Sequence, residues 1–267
     1  MAKDNKENRT LSIRISTDGF CFCSYTPEDP GSIRYSFYSP DAALTMTANL
    51  QRAIDACAFI SRGERYEVKV IVEVDEFTTL PAEYDDRQEY KSYYRLCFPR
   101  CDARIDVFAN KLNAQGVTVI FPVEKSLCEL LQTLGDVSYY TPVSILLGLT
   151  TRMSFPESRY MLLYMHNDKS ILISINEGKL QLANAFGAGN GQDNLYYLLS
   201  IWKQQGLSQT DDVLYMCGDK GVEMSMMLTR RFIKNCHRMN ATEMFPSNLL
   251  NKMEGIPFDL QVLMLCE

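Results

Sequence analysis

Apolar and polar positions alternate over Leu11-Ser12-Ile13-Arg14-Ile15-Ser16 and again over Phe20-Cys21-Phe22-Cys23-Ser24-Tyr25, with Asp18-Gly19 between them. Period-two alternation on both sides of Asp-Gly predicts two strands in a tight hairpin. A turn over 27–31 and a third strand over 33–38 follow. Ser39-Pro40-Asp41 then predicts a helix start, with a cap, a proline at the first helical position and an acid in the first turn. Met46, Leu50, Ala53, Ile54 and Cys57 share one face of that helix, and Gly63 ends it. The β-branched run 68–74 predicts a buried strand.

The second half repeats this order. Strands are predicted over 160–165, 170–175 and 179–186, with turns at His166-Asn167-Asp168 and Glu177-Gly178. A glycine-rich loop, Gly187-Ala188-Gly189-Asn190-Gly191, leads into a helix with Leu195, Leu198, Leu199 and Trp202 at i, i+3, i+4 and i+7. A strand over 213–217 comes next. Leu11 to Met161 spans 150 positions, Ala42 to Gln192 spans 150, and Val68 to Val213 spans 145. The pattern recurs without residue identity, and a duplication is its best account.

Between the copies lies a polar, tyrosine-rich stretch over 75–94, then strand-like runs over 104–108 and 117–121. Val123, Leu127, Leu130, Leu131 and Leu134 predict an amphipathic helix, and Thr141-Pro142 starts another, through Leu149. Val222, Met226, Thr229 and Ile233 predict a further helix, and Pro257 opens a terminal one. The expected organisation is a first half over 1–155, with an insertion around 75–122, and a second half over 156–267.

Composition narrows the function. Lys+Arg 27 against Asp+Glu 33 gives −6, so neither a nucleic-acid partner nor an anionic membrane surface is expected. Hydrophobic residues at 46% support a folded core. No run approaches 18 apolar residues and residues 1–10 lack an apolar core, so neither membrane insertion nor secretion is expected. Nine scattered cysteines read as reduced, packed thiols. A cytoplasmic location is expected.

Candidate chemistry is sparse. Strand 11–16 followed by Thr17, the turn Met165-His166-Asn167-Asp168-Lys169, and Val213-Leu214-Tyr215-Met216-Cys217-Gly218 sit where two phosphate motifs and an adenosine motif would fall. With the element order, they resemble the actin-like ATPase superfamily, a duplicated ribonuclease-H-like fold of the α/β class with mixed sheets flanked by helices. The glycine loop is similar to one in the division and pilus-assembly members FtsA and PilM, and an uncharacterised bacterial family of this fold is suspected. The resemblance places Arg14 at the family's aspartate and Ser16 at its glycine; Thr17 fits, and Gly218 keeps one glycine of two.

Those departures matter. A guanidinium has no acceptor, so Arg14 cannot ligate Mg²⁺, and a serine in a turn needing positive φ would be strained. The resemblance therefore implies a non-catalytic binding or scaffold protein with degenerate nucleotide motifs, no cofactor and an unknown protein partner. The alternative is a divergent ATP-binding protein or ATPase, with ATP held by Arg14, Thr17, Asp168 and Gly218. Asp18 is assigned to its hairpin, and Asp168 is the substitute carboxylate. An α/β protein unrelated to actin is a third reading. Arg14 itself is expected to be a solvent-facing strand residue.

Other constellations read as structure. The glycine loop, with Asp193 in the first turn of its helix, is a loop and cap without the Gly-Lys-Ser/Thr ending of a Walker motif. Cys21-x-Cys23 and Cys97-x₃-Cys101, with only His166 and His237 in the chain, do not make a zinc set. No local cysteine–histidine catalytic signature appears. Glu83, Asp85 and Asp86 beside Tyr84 and Tyr90 read as a solvated loop or, more sharply, a partner-binding one.

Overall fold

The computed structural model describes residues 9–26, 29–61, 63–100, 103–153, 155–187, 191–218, 221–240 and 255–265. The first sheet has the order β3-β2-β1-β4-β8, from β1 (Thr10–Ser16), β2 (Gly19–Thr26), β3 (Asp29–Tyr38), β4 (Tyr66–Val72) and β8 (Gly135–Tyr140). Helix α1 (Met46–Ala56) connects β3 to β4. Between β4 and β8 come β5 (Thr78–Pro81), α2 (Tyr90–Cys97), β6 (Ile105–Leu112), β7 (Val117–Glu124) and α3 (Lys125–Gln132). The three strands form their own sheet, β5-β7-β6. Helix α4 (Pro142–Arg152) follows β8.

The second large sheet repeats the first strand for strand. Its order is β11-β10-β9-β12-β13, from β9 (Arg159–His166), β10 (Lys169–Asn176), β11 (Lys179–Gly187), β12 (Val213–Gly218) and β13 (Asn235–Arg238). Helix α5 (Gly191–Gln204) matches α1, and α6 (Val222–Thr229) joins β12 to β13. β1 is antiparallel to β2 and parallel to β4; β9 is antiparallel to β10 and parallel to β12. Leu11 and Met161 thus lie on strands in the same topological position. The terminal helix α7 (Phe258–Leu265) packs on β1 and α4.

Several expectations move. The helix expected from Asp41 starts at Met46, where Thr45 Oγ1 accepts from Ala48 N at 3.2 Å. Buried Asn49 explains the delay: its Oδ1 accepts from Asp41 N at 2.8 Å and its Nδ2 donates to Asp41 O at 2.9 Å, holding the Pro40-Asp41 segment as a turn. Val123 lies in β7, not in the following helix. The tyrosine-rich stretch contains β5 and the start of α2 rather than only loop.

The largest difference is at β1. Its alternation suggested a dry face and a wet one, but all seven residues are buried. β1 is central in its sheet, with β2 and β4 on either side and α7 packed against it. Ser12 and Arg14 are each 0% exposed. The solvent-facing assignment of Arg14 is therefore wrong, because a period-two pattern cannot show whether a second layer covers the polar face.

Candidate functional site

The two large sheets meet where their first hairpins turn toward each other. Ser16 pairs with Gly19 across the β1–β2 turn, and His166 pairs with Lys169 across the β9–β10 turn. Both turns have two residues, and the second places Asn167 at φ +51°, a conformation that asparagine tolerates. Ser16 is an ordinary strand residue, so the positive-φ strain anticipated there does not arise.

Asp18 bridges the turns. Asn167 Nδ2 donates to its Oδ2 at 2.6 Å, and His166 Nε2 lies 3.6 Å from the same oxygen. Ser16 Oγ donates to Oδ1 at 2.6 Å. Burial alone would raise the Asp18 pKa, but the adjacent His166, the Ser16 hydroxyl and the nearby Arg14 charge hold it well below the carboxylate range. Lys169 Nζ reaches Asp75 Oδ1 at 2.5 Å, a second tie between the sheets. Asp168 and Thr17 are exposed in their turns.

Behind the turns sits Arg14. Its Nε donates to Asp259 Oδ2 at 2.8 Å and Oδ1 at 3.0 Å, and its Nη2 donates to Glu73 Oε1 at 3.3 Å. Nη1 lies 3.9 Å from Asp18 Oδ1. Asp259 is 0% exposed, and its Oδ1 also accepts from Leu260 N at 2.9 Å. Burial opposes the Arg14 charge, yet Asp259, Tyr164 and Glu73 hold its pKa well above the ordinary value. Burial raises the Glu73 pKa against the pull of Arg14.

A triphosphate with Mg²⁺ needs donors and carboxylates that face open space. Arg14 is enclosed by carboxylates of its own chain, and Asp18 is already bonded on both oxygens. The cavity at this junction, lined by Glu73, Asp75, Pro142, Lys169 and Phe186 among others, measures about 190 Å³. Small-molecule sites usually need roughly 300–1,000 Å³. These residues do not fit a Mg²⁺–triphosphate. Asp18 instead joins the two hairpins, and Arg14 joins β1 to α7.

Gly218 ends β12 at φ +120°, and a Cβ there would come within 1.9 Å of Met165 O. Its glycine is therefore required for β12 to close against β9. Residues 188–190 of the glycine loop and Cys101 lie outside the described residues. Gly191 opens α5, with Asp193 in its first turn. Among the described residues, no three histidine, cysteine or acidic side chains converge on a metal position.

In the acidic–tyrosine segment, Tyr84 is exposed, but Tyr90 is buried with its OH donated to Asp85, which also meets Lys111 Nζ at 2.5 Å. The solvated-loop reading fails for Tyr90 and Asp85. Sequence reasoning also missed Glu73, Asp75 and Asp259 as site residues. The offset of 150 offered one signal, since it matches Asp18 to Asp168 and Arg14 to Tyr164.

A crystal structure of a Bacteroides thetaiotaomicron VPI-5482 protein, with an actin-like ATPase fold and unknown function, is similar over 100% of both chains, with TM-score 0.78 and 27% identity. PilM, from the PilM–PilN type IV pilus biogenesis complex, matches with TM-score 0.59 and 12% identity over 96% of this chain and 97% of that one. The fold is thus the duplicated actin-like ATPase fold. No curated protein matches the sequence. No described helix is long and apolar enough to cross a membrane. The model of the family "Protein of unknown function (DUF3822)" matches residues 1–236, and the chain belongs to that family.

Proposed function

We propose that this protein is a non-catalytic, cytoplasmic binding or scaffold protein on an actin-like fold, whose own ion pairs occupy the position that nucleotide phosphates take in active members. The observation that carries this reading is Arg14, wholly buried and bonded to Asp259 and Glu73 where the resemblance expects a metal-organising aspartate. An internal cation with internal counter-ions ties β1 to α7 and to Glu73 without a ligand. The assembly of PilM with PilN supports a protein partner for this chain as well. Six of the seven described cysteines are buried, in keeping with a reducing compartment.

A phosphate-release assay with Mg²⁺ and ATP tests this. Wild type and Asp168→Ala are both expected at background, with no ATP-induced rise in melting temperature. Turnover that Asp168→Ala abolishes would establish the ATPase, with Thr17, Asp168 and Gly218 as its nucleotide contacts.

A further inference from the structure

The helices outside the two large sheets differ in what they show to solvent. On the first sheet, α1 and α3 pack together, tied by Thr47 Oγ1 and Ser126 Oγ at 2.7 Å. Their exposed residues are Gln51, Arg52, Asp55, Ala56, Glu129 and Gln132, an ordinary polar surface. Helices α5 and α6 hold the equivalent places on the second sheet and also pack together. Their outer side carries Tyr196, Tyr197, Met224 and Met227, with Phe232 in the turn beyond α6. These are five of the eight large apolar side chains exposed among the described residues. Tyr196 and Met227 are 69% and 67% exposed. The Tyr197 ring joins that of Phe186, 4.7 Å away, to that of Tyr196 at 5.6 Å.

Helix α6 is apolar all round. Val222 is buried, Met226 packs on the core of the second sheet, and Met224 and Met227 face outward. A helix apolar on every side normally lies inside an assembly. The duplicated layer does without such a surface, so the fold does not require it. Tyrosine and methionine also suit binding: one is a rigid anchor, the other adapts to its partner.

Charge and direction set the occupant. Strands β11, β9, β12 and β13 run parallel to one another. Helices α5 and α6 each return between two of these strands, so they run side by side in one direction. Lys203, in the last turn of α5, and Arg231, just beyond α6, therefore stand at the same end. Both are exposed, and among the described residues neither meets a carboxylate. At the other end Glu223 is held by Arg238, and Asp193 is engaged within its own chain. Antiparallel contact with a second copy would offer Lys203 and Arg231 only those two engaged acids.

We propose that an amphipathic helix of a partner protein docks along α5 and α6, with its apolar face on Tyr196, Met224 and Met227 and its acidic first turn at Lys203 and Arg231. Acids in a first turn also suit the partner's own dipole, so the docked helix runs antiparallel to α5 and α6. This names the partner chemistry of the binding role proposed above and rests on it.

The test uses the full chain and a blocked amphipathic peptide of about 18 residues, long enough to form a helix, with leucines on one face and glutamates in its first turn. Two controls carry the glutamates in the last turn, or lysines in their place. Calorimetry should show saturable binding of the first peptide, about tenfold weaker binding of the last-turn control and none of the lysine one. Binding should weaken as salt rises. Tyr196→Ser, Met227→Gln and Arg231→Glu should each weaken it about tenfold with melting temperature unchanged, whereas Arg52→Glu on α1 should change nothing. Equal binding of the three peptides, wild-type binding by Met227→Gln, or no saturation at millimolar peptide would overturn the proposal. So would a concentration-dependent dimer of the chain alone that Met227→Gln dissolves, since the face would then belong to a second copy. Those failures would leave the ATP assays silent, whereas turnover in those assays would remove the scaffold role itself.

Discussion

The two large sheets share strand order, yet they treat the same position differently. Arg14 stands opposite Cys21 and Ile71 in the first; Tyr164, at an offset of 150, stands opposite Ile171 and Cys217 in the second. Both are buried. The first turn of α7 serves both, with Asp259 on Arg14 and the Phe258 ring 6.2 Å from that of Tyr164. One half presents a charge to the junction and the other an aromatic ring. The lesson is that topology was duplicated while the chemistry of the junction was not.

The sharpest way to break this comparison is to strand the charge. Asp259→Ala leaves Arg14 buried without its main counter-ion, and a loss of about 3–5 kcal/mol in urea unfolding is expected. The double variant Arg14→Met with Asp259→Leu should recover most of that loss, because an apolar pair of similar volume needs no desolvated charge. If the double variant were as unstable as the single one, the ion pair would not be the source of the effect.

Smaller effects separate the two turns. Asp18 and Asp168 are equivalent by sequence offset, but only Asp18 reaches the opposite hairpin. Asp18→Asn should cost about 1 kcal/mol, after solvent screening of a partly exposed carboxylate. Asp168→Asn should stay within about 0.5 kcal/mol. Equal costs would erase the distinction.

The pH dependence is subtler still. The Asp18 pKa is depressed in the folded state, so the stability it adds is present above the unfolded carboxylate value near 3.9 and lost as pH falls below it. The gap in melting temperature between wild type and Asp18→Asn should be flat above about pH 5 and close below pH 4. Glu73, whose pKa is raised, contributes the opposite slope in both proteins and cancels from the difference. A gap that widened on acidification would contradict the depressed value.

Much of the fold was legible because it is written in local periodicity. Paired alternation, the Asp-Gly turn and the α5 apolar face announce themselves within a few residues. The short strands β8 and β13 escaped, since Gly135–Tyr140 and Asn235–Arg238 gain their pairing from β4 and β12, distant in sequence. The site was less legible for the same reason. Nothing near Arg14 in the chain says that Asp259 will cover it, or that Asp18 will turn inward while Asp168 stays in water. Junction chemistry depends on which layers meet, and that is a property of the assembled fold.

The pairing of Arg14 with Asp259 also carries a consequence in time. The two residues are 245 positions apart. At roughly 5–20 residues per second, a nascent chain waits on the order of 10–50 s between making the cation and making its counter-ion. During that interval β1 can form its hairpin with β2, but sealing its arginine into a dry interior would be unfavourable. The first sheet is thus committed to a late finish, and its interior closes only once α7 is made.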